Sequence, residues 1–404
     1  VTESNDMRPE LPKDAARAAE RVLRRRFGER PRLVAPEPLE ERATVFRCRT
    51  EGKGLPDSVI VKMPRQAEGK LYSATELAEG SPAWLLTTEW ASLDFLDSLQ
   101  GEDRRRVSPK LYGGDLKTGI LVLEDLGDGQ SLAAALLGED VAAAQASFVA
   151  FGRSLGRLHA LTAGREGAYT EVLESLGRPP ADRAAVQRRL RGEIEKLPAT
   201  FEELEFEWSP GLVDDVQQVA ASMLEPGPML ALTHGDPCPD NDRLIDGGMV
   251  LFDFERSGFR SAAVDGAYAR VPFPTCWCVN RLPEYVRESF ETAYRLELMK
   301  GAPEAGDDVF FEKSLMEAAG WWLIANANSL LPGALRFERR WGISTVRQRL
   351  LYRFEEFSRL AAKSGRLEAL GSWAWLMHER MKVRWPEVQD MPVYPAFRKA
   401  AADH

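Results

Sequence analysis

The sequence predicts an α+β chain whose first third is mainly sheet and whose remainder is mainly helix. Three observations carry this. Residues 43–50 (ATVFRCRT) and 57–63 (DSVIVKM) alternate or run apolar around the turn-rich EGKGLP, a hairpin signal with a longer loop. After Gly127 the apolar positions recur at helical spacing. A single island of strand, DRLIDGGMVLFDFE at 242–255, interrupts those helices, with Asp246-Gly247-Gly248 as its hairpin turn.

Taken in order, residues 13–27 (KDAARAAERVLRRRF) read as a short amphipathic helix. The strands of 43–63 follow. In SPAWLLTTEWASLDFLDSL, Ser81 can cap a helix and Pro82 takes its first position. PKLYGGDLKTGILVLEDLG gives two more strands about a glycine-marked turn. Asp140 then caps a helix with Phe148, Phe151, Leu155 and Leu158 on one face. Residues 181–196 read as a charged helix. Beyond 280 the pattern is helical to the end, with breaks expected near Pro332, Pro386 and Pro392. The expected organisation is an extension over 1–30, a sheet-rich nucleotide-binding lobe over 31–126, and a helical lobe over 127–404 carrying the catalytic loop and acceptor-binding helices.

The totals narrow the function. A chain of 404 residues exceeds one compact core. Its net charge of −9 argues against a nucleic-acid binder, which needs a basic surface. Four scattered cysteines make no disulfide framework, so reduced buried thiols are expected, with Cys276-Trp277-Cys278 as a conceivable soft-metal pair. The first residues are polar and no apolar run reaches the ~18 residues of a membrane span, so a cytoplasmic protein without membrane contact is expected.

The chemistry concentrates in LTHGDPCPDN, 232–241. Two prolines and a glycine make this a stiff loop. Asp236 and Asn241 stand five apart, so one loop can present a base and a metal-binding amide to the same cleft. Asp253 follows the apolar strand MVLF and can reach the same Mg²⁺. Val59-Ile60-Val61-Lys62 resembles the Val-Ala-Ile-Lys strand of kinases, which implies Lys62 on the α and β phosphates of ATP; Ile60 shares its face, where it can touch adenine. Glu89 lies within an apolar stripe of Leu85, Leu86, Leu93 and Leu96 and needs a partner, for which Lys62 is the natural choice. LVLEDLG, 121–127, offers backbone groups at Glu124 and Leu126 to the base. Each residue alone has a plain structural reading: a solvated lysine, a surface glutamate, a strand-ending aspartate. His234 and His159 read as structural. The joint order is what points to phosphoryl transfer.

HGDPCPDN followed by LFDFE resembles the aminoglycoside phosphotransferase and choline kinase family, over roughly residues 35–270. The resemblance implies a two-lobed protein-kinase-like fold. It implies Asp236 as catalytic base, Asn241 and Asp253 as Mg²⁺ ligands, Lys62 with Glu89 on the phosphates, and Asp265 as a brace for the loop. ATP and Mg²⁺ are the implied cofactors. The chain departs from the pattern: PLEERATVF stands where a glycine-rich loop is expected, leaving the amides near Arg42 to Val45 to cover the phosphates. Asp253 precedes Phe254-Glu255, and no Ala-Pro-Glu follows, which argues against a protein substrate.

A hydroxylated small-molecule acceptor is therefore expected. Between Leu197 and Asp242 there is no lysine or arginine, and ten carboxylates, among them Glu202, Glu203, Glu205, Glu207, Asp214 and Asp215. Such a field attracts a polycation such as an aminoglycoside; the plain alternative is a solvated acidic face. Six of ten tryptophans follow residue 320, where they can stack on a ring or simply pack helices. An antibiotic or amino-sugar kinase, a metabolic kinase for choline, a sugar or a hydroxy-amino acid, and a nucleotide-binding pseudokinase scaffold all remain open.

Overall fold

The computed structural model describes residues 10–28, 30–39, 44–65, 72–101, 105–179 and 209–398, with 192 and 195 as isolated positions. The expected helix over 181–196, the acidic residues Glu202 to Glu207 and Arg42 lie outside these residues. The chain divides into two compact units, Val1–Gly129 with Gly167–Pro180 and Phe252–Ser257, and Gln130–Glu166 with Ala181–Leu251 and Gly258–His404.

The first unit opens with α1 (Lys13–Phe27), followed by β1 (Arg32–Pro38), β2 (Val45–Glu51) and β3 (Ser58–Lys62), then α2 (Pro82–Gln100), β4 (Leu111–Asp115) and β5 (Ile120–Glu124). The five strands form one antiparallel sheet in the order β1-β2-β3-β5-β4. Alternation along the strands decides its faces. Val59 and Val61 turn inward with Phe46, Cys48, Ile120 and Val122, against Ala15, Ala18, Val22 and Leu23 of α1. Thus α1 shares a single core with the sheet. Ile60 and Lys62, out of phase with the valines, take the other, half-buried side of β3. Strand β1 holds Pro36 and Pro38, which lack amide hydrogens, and accordingly lies at the sheet edge. Ser81 caps α2 through the Trp84 amide.

The second unit contains α3 (Leu132–Leu137), α4 (Val141–Thr162) and, after α5 (Glu166–Ser175) has passed into the first unit, α6 (Pro210–Leu224). Strand β6 (Leu230–Thr233) pairs with β9 (Gly258–Ser261), and β7 (Asp242–Ile245) with β8 (Gly248–Leu251). Asp246 and Gly247 turn that hairpin with φ of 48° and 77°. Then come α7 (Ala263–Gly266), α8 (Glu284–Leu298), α9 (Asp308–Arg336), the two-residue strands β10 (Arg340–Trp341) and β11 (Ser344–Thr345), α10 (Val346–Ser364) and α11 (Glu368–Arg384).

Helices α4 and α8 pack closely because α4 carries Gly152 and Gly156 on the shared face. A Cβ on Gly156 would stand 2.3 Å from the Tyr294 carbonyl oxygen. Phe148 of α4 stacks on Phe290 of α8 at 4.9 Å between ring centres. Two sequence expectations are corrected here. Pro332 lies inside α9 and does not end it; a proline costs one helical hydrogen bond, and a well-packed helix can absorb that. Cys238 and Cys276, expected as thiols, are disulfide-bonded, because the fold brings together residues 38 apart in sequence. Cys48 and Cys278 are free and buried.

Most of the late tryptophans pack. Trp322 donates to the Val264 carbonyl oxygen at 2.8 Å, Trp373 meets Phe354 edge to face, and Trp385 lies beneath Arg347. Only half of Trp375 is exposed, and it stacks on His378.

Arg270 is buried and bidentate, with Glu291 at 2.8–2.9 Å and Glu312 at 2.6–2.8 Å. Removing it leaves Glu312 without its ion pair and Glu291 with the longer contact to Arg287 at 3.9 Å. Because Glu312 is partly open to water, we expect Arg270→Ala to cost about 3 kcal/mol, the lower end for a broken buried pair. Urea unfolding measures this; a loss below about 1 kcal/mol would show that the carboxylates rearrange freely.

Candidate active site

In the first unit, Lys62 ends β3 with its ammonium turned away from the α1 core. Its Nζ lies 2.6 Å from Glu89 Oε2, 2.5 Å from Asp253 Oδ1 and 4.0 Å from Glu255 Oε2. The partner that the apolar stripe of α2 demands for Glu89 is thus Lys62. Asp253 is held in a left-handed conformation, φ 68° and ψ 55°. A non-glycine residue there costs of order 1 kcal/mol or more and persists only where neighbours fix it. Close by, Ser257 donates to the Phe254 carbonyl oxygen at 2.7 Å, and its hydroxyl lies 2.6 Å from that of Ser92 on α2.

The electrostatics follow from one ammonium among three carboxylates. Burial works against the Lys62 charge, but Asp253, Glu89 and Glu255 outweigh it and raise the pKa well above that of an ordinary lysine. Burial pushes Glu89 up to about 7; Lys62 pulls it down and Asp253 pushes it up again. Glu255 is raised too, by burial and then by Asp253. With all groups ionised the cluster carries one positive and three negative charges, a deficit of two. The carboxylate oxygens of Glu89, Asp253 and Glu255 lie within 4.8 Å of one another, and Glu89 Oε1 is buried without a hydrogen-bond partner among the described residues. A hard divalent cation with oxygen ligands would balance that deficit, so the donors present fit Mg²⁺.

The segment after β5 is pinned. Arg47 on β2 reaches Asp125 at 2.8 Å and Asp128 at 2.7 Å, and Ser58 donates to Asp125 at 2.7 Å. The Glu124 amide already donates to Lys110, and its carboxylate accepts from the Lys110 amide. Neither of these contacts uses the Glu124 carbonyl. The Leu126 amide has no partner among the described residues. Ile60 is half-buried on the same face of β3 as Lys62.

In the second unit, the loop 234–241 is braced on all sides. Gly235 has φ 83°, a conformation that suits glycine between His234 and Asp236. The His234 amide donates to Asp265 Oδ2 at 2.7 Å, and the same oxygen lies 3.2 Å from His159 Nε2. Tyr294 closes this buried set, 3.0 Å from His159 Nδ1 and donating to the Ala262 carbonyl oxygen at 2.9 Å. Burial alone would raise Asp265, yet His159 holds its pKa below the usual carboxylate value. Asp236 Oδ1 accepts from Thr275, which in turn bonds to Tyr268. Asn241 donates from Nδ2 to the Asp236 carbonyl oxygen at 3.1 Å, which commits its amide nitrogen and leaves Oδ1 as the acceptor that a metal could use.

Sequence reasoning missed Glu255 as a member of the Lys62 cluster, though its place two residues after Asp253 was a usable signal. Thr275 and Tyr268 left no such signal, since they stand 39 and 32 residues from Asp236.

Because Glu89 titrates higher in the folded protein than the ~4.3 of an unfolded chain, the folded state binds more protons between the two values. Stability from this group is present at acid pH and lost as pH rises through about 7. We expect the wild type, in chelator, to lose on the order of 2 kcal/mol more than Glu89→Gln between about pH 5 and about pH 7.5. Urea unfolding across that range checks it; equal slopes would contradict it.

The model of the phosphotransferase enzyme family matches residues 40–299. Among solved structures, the macrolide 2′-phosphotransferase of Brachybacterium faecium is 17% identical, with 75% of this chain and 89% of that one covered and a TM-score of 0.39. The choline kinase of Streptococcus pneumoniae is 14% identical, covering 81% and 94%, with a TM-score of 0.40. A choline/ethanolamine kinase family protein of Mesorhizobium loti is 15% identical, covering 84% and 92%, with a TM-score of 0.45. Nothing among curated proteins matches the sequence. Among the described residues, no helix is long and apolar enough to cross a membrane. The match spans well over half of the sequence, and the chain belongs to the phosphotransferase enzyme family.

Proposed function

We propose that this chain is an ATP-dependent kinase that moves the γ-phosphoryl group to a hydroxyl of a small cationic acceptor, an aminoglycoside-like antibiotic or an amino sugar, in the cytoplasm. The observation that carries the phosphotransfer reading is the Lys62 ammonium among Glu89, Asp253 and Glu255. A structural ion pair needs one carboxylate; three around one cation suit a nucleotide with a divalent ion.

Residues 31–126 form the nucleotide-binding lobe in this reading. The Glu124 carbonyl and the Leu126 amide meet the adenine edge, with Ile60 against its face. Lys62 neutralises the α and β phosphates, and Glu89 orients Lys62. Asn241 and Asp253 are the residues that would hold Mg²⁺, whose chemistry would be to spread phosphate charge. Asp236 accepts a hydrogen bond from the acceptor hydroxyl and takes its proton as the oxygen attacks phosphorus. Thr275 keeps the Asp236 carboxylate turned toward one rotamer. Glu255 supplies a third carboxylate to balance the ion.

The cationic acceptor rests on the acidic stretch without lysine or arginine that ends at the catalytic loop. A metabolic acceptor such as choline shares the positive charge, so a panel must separate them.

Replacing Asp236→Asn keeps the loop geometry and removes the base. We expect kcat to fall by about 10²–10⁴ while the nucleotide dissociation constant stays within about twofold. Equal loss of binding would assign Asp236 to the fold. On a panel of aminoglycosides, amino sugars, choline, neutral sugars and hydroxy-amino acids, Mg²⁺-dependent ADP release should concentrate on amine-bearing acceptors. Turnover confined to neutral sugars would overturn the cationic reading, and nucleotide binding without turnover on any acceptor would favour a scaffold.

A further inference from the structure

Beside the loop 234–241, and using none of the groups assigned to phosphoryl transfer, three cysteines and an aspartate converge. Cys238 and Asp240 come from the loop itself, Cys276 and Cys278 from the segment that follows Thr275. The sulfurs of Cys238 and Cys276 and a carboxylate oxygen of Asp240 lie within 4.8 Å of one another, and Cys278 Sγ is 3.2 Å from Cys276 Sγ. All three cysteines are buried, Cys278 completely. Four donors of this kind are the number and chemistry of a closed tetrahedral zinc site. Around such an ion, with bonds of about 2.3 Å, neighbouring sulfurs stand about 3.8 Å apart. Cys238, Asp240 and Cys276 are already gathered at that scale, and Cys278 lies beside Cys276.

The surroundings suit an anionic centre. Trp277 donates from Nε1 to Asp240 Oδ2 at 2.6 Å, which orients the carboxylate. Metal ligands are commonly oriented by such outer contacts. Arg349, fully buried, clamps the ligand segment by donating to the carbonyl oxygens of Cys276 and, at 2.8 Å, of Trp277. Tyr394 donates to the Cys278 carbonyl oxygen at 2.5 Å. Neither Arg349 nor Arg353, one turn on and equally buried, has a carboxylate partner among the described residues. Buried cations normally have one. A divalent ion with three thiolates and one carboxylate carries a net charge of −2, which the two guanidinium groups would offset.

We propose that, when the Cys238–Cys276 disulfide is reduced, Cys238, Asp240, Cys276 and Cys278 bind one zinc ion that ties the loop carrying Asp236 and Asn241 to the segment carrying Thr275. The redox step is complete in itself. A dithiol reductant gives two electrons and two protons to the disulfide and becomes a disulfide; the S–S bond breaks and two thiols form. Zinc then displaces the thiol protons to water and forms three Zn–S bonds and one Zn–O bond. The disulfide and the zinc complex are thus alternative fastenings of the same two segments.

The test uses the full chain, purified in a dithiol or phosphine reductant without chelator. Elemental analysis should find one zinc per chain. Titration of the reduced, metal-stripped chain with Co²⁺ should produce the thiolate charge-transfer and tetrahedral d–d bands, displaced by Zn²⁺. Cys278→Ser should weaken Co²⁺ binding at least tenfold, and Trp277→Phe by about 10–100-fold, as outer-contact changes do. Cys48→Ala, in the first unit, should leave it unchanged. No metal uptake by the reduced wild type would overturn the site, and this result does not depend on any variant folding. Undiminished Co²⁺ binding in Cys278→Ser would overturn the three-thiol assignment. A Cys238–Cys276 disulfide that survives the reductant, seen by mass spectrometry, would leave the disulfide as the only fastening and overturn the proposal.

Discussion

The first unit depends on one ammonium buried among three carboxylates. Lys62 reaches this position because β3 alternates: Val59 and Val61 go to the α1 core, and Lys62 must go the other way. Its charge is tolerable there only because Glu89 and Asp253 are within hydrogen-bond distance. Glu89 in turn is tolerable on the buried side of α2 only because of Lys62. The result is a cluster that strains against itself. Burial, with Asp253 and Glu255 opposing the pull of Lys62, keeps Glu89 high, and the excess of carboxylates favours any ligand set that brings positive charge. Asp253 adds backbone strain at φ 68°, a cost usually met at functional positions.

The second unit solves a different problem, the rigidity of a loop. Two prolines limit its backbone, but side chains orient it. Asp265 takes the His234 amide, and α4 supplies His159 to the same carboxylate. On the same helix, Gly152 and Gly156 let α4 approach α8, which carries Tyr294 to His159. Thr275 holds Asp236, and Cys276 beside it is covalently tied to Cys238. The C-terminal end of the loop is also fixed to α3, through the Ala133 amide on Pro239 and the Leu132 amide on Asp242. On the proposed reading, a base in such a loop would lose little freedom when an acceptor binds.

Much of this was legible in the sequence wherever the signal was local. Strand alternation gave β2, β3 and β5, and Asp246-Gly247 marked the hairpin before Asp253. The Ser81 and Asp140 caps were readable because a side chain and its amide partner are three residues apart. Glu89 was readable through its conflict with an apolar stripe. What stayed hidden depends on contacts at long range or on tertiary override. Strand β1 was obscured by Pro36 and Pro38, which are tolerated only because the strand is an edge. Pairing of β6 with β9, the bonds of Thr275 and Tyr268 to Asp236, and the Cys238–Cys276 link all join residues at least 25 apart. Pro332 reads as a stop, yet packing carries α9 through it.

The account rests most directly on the claim that the Lys62 cluster is built to take a divalent ion together with a nucleotide. Electron paramagnetic resonance of Mn²⁺, a spectroscopic stand-in for Mg²⁺, tests this in the wild type and in Asp253→Asn. With ATP present, the account predicts one protein-bound Mn²⁺ ternary signal per chain, lost or weakened at least tenfold in the variant. The same signal at the same strength in both proteins would contradict it.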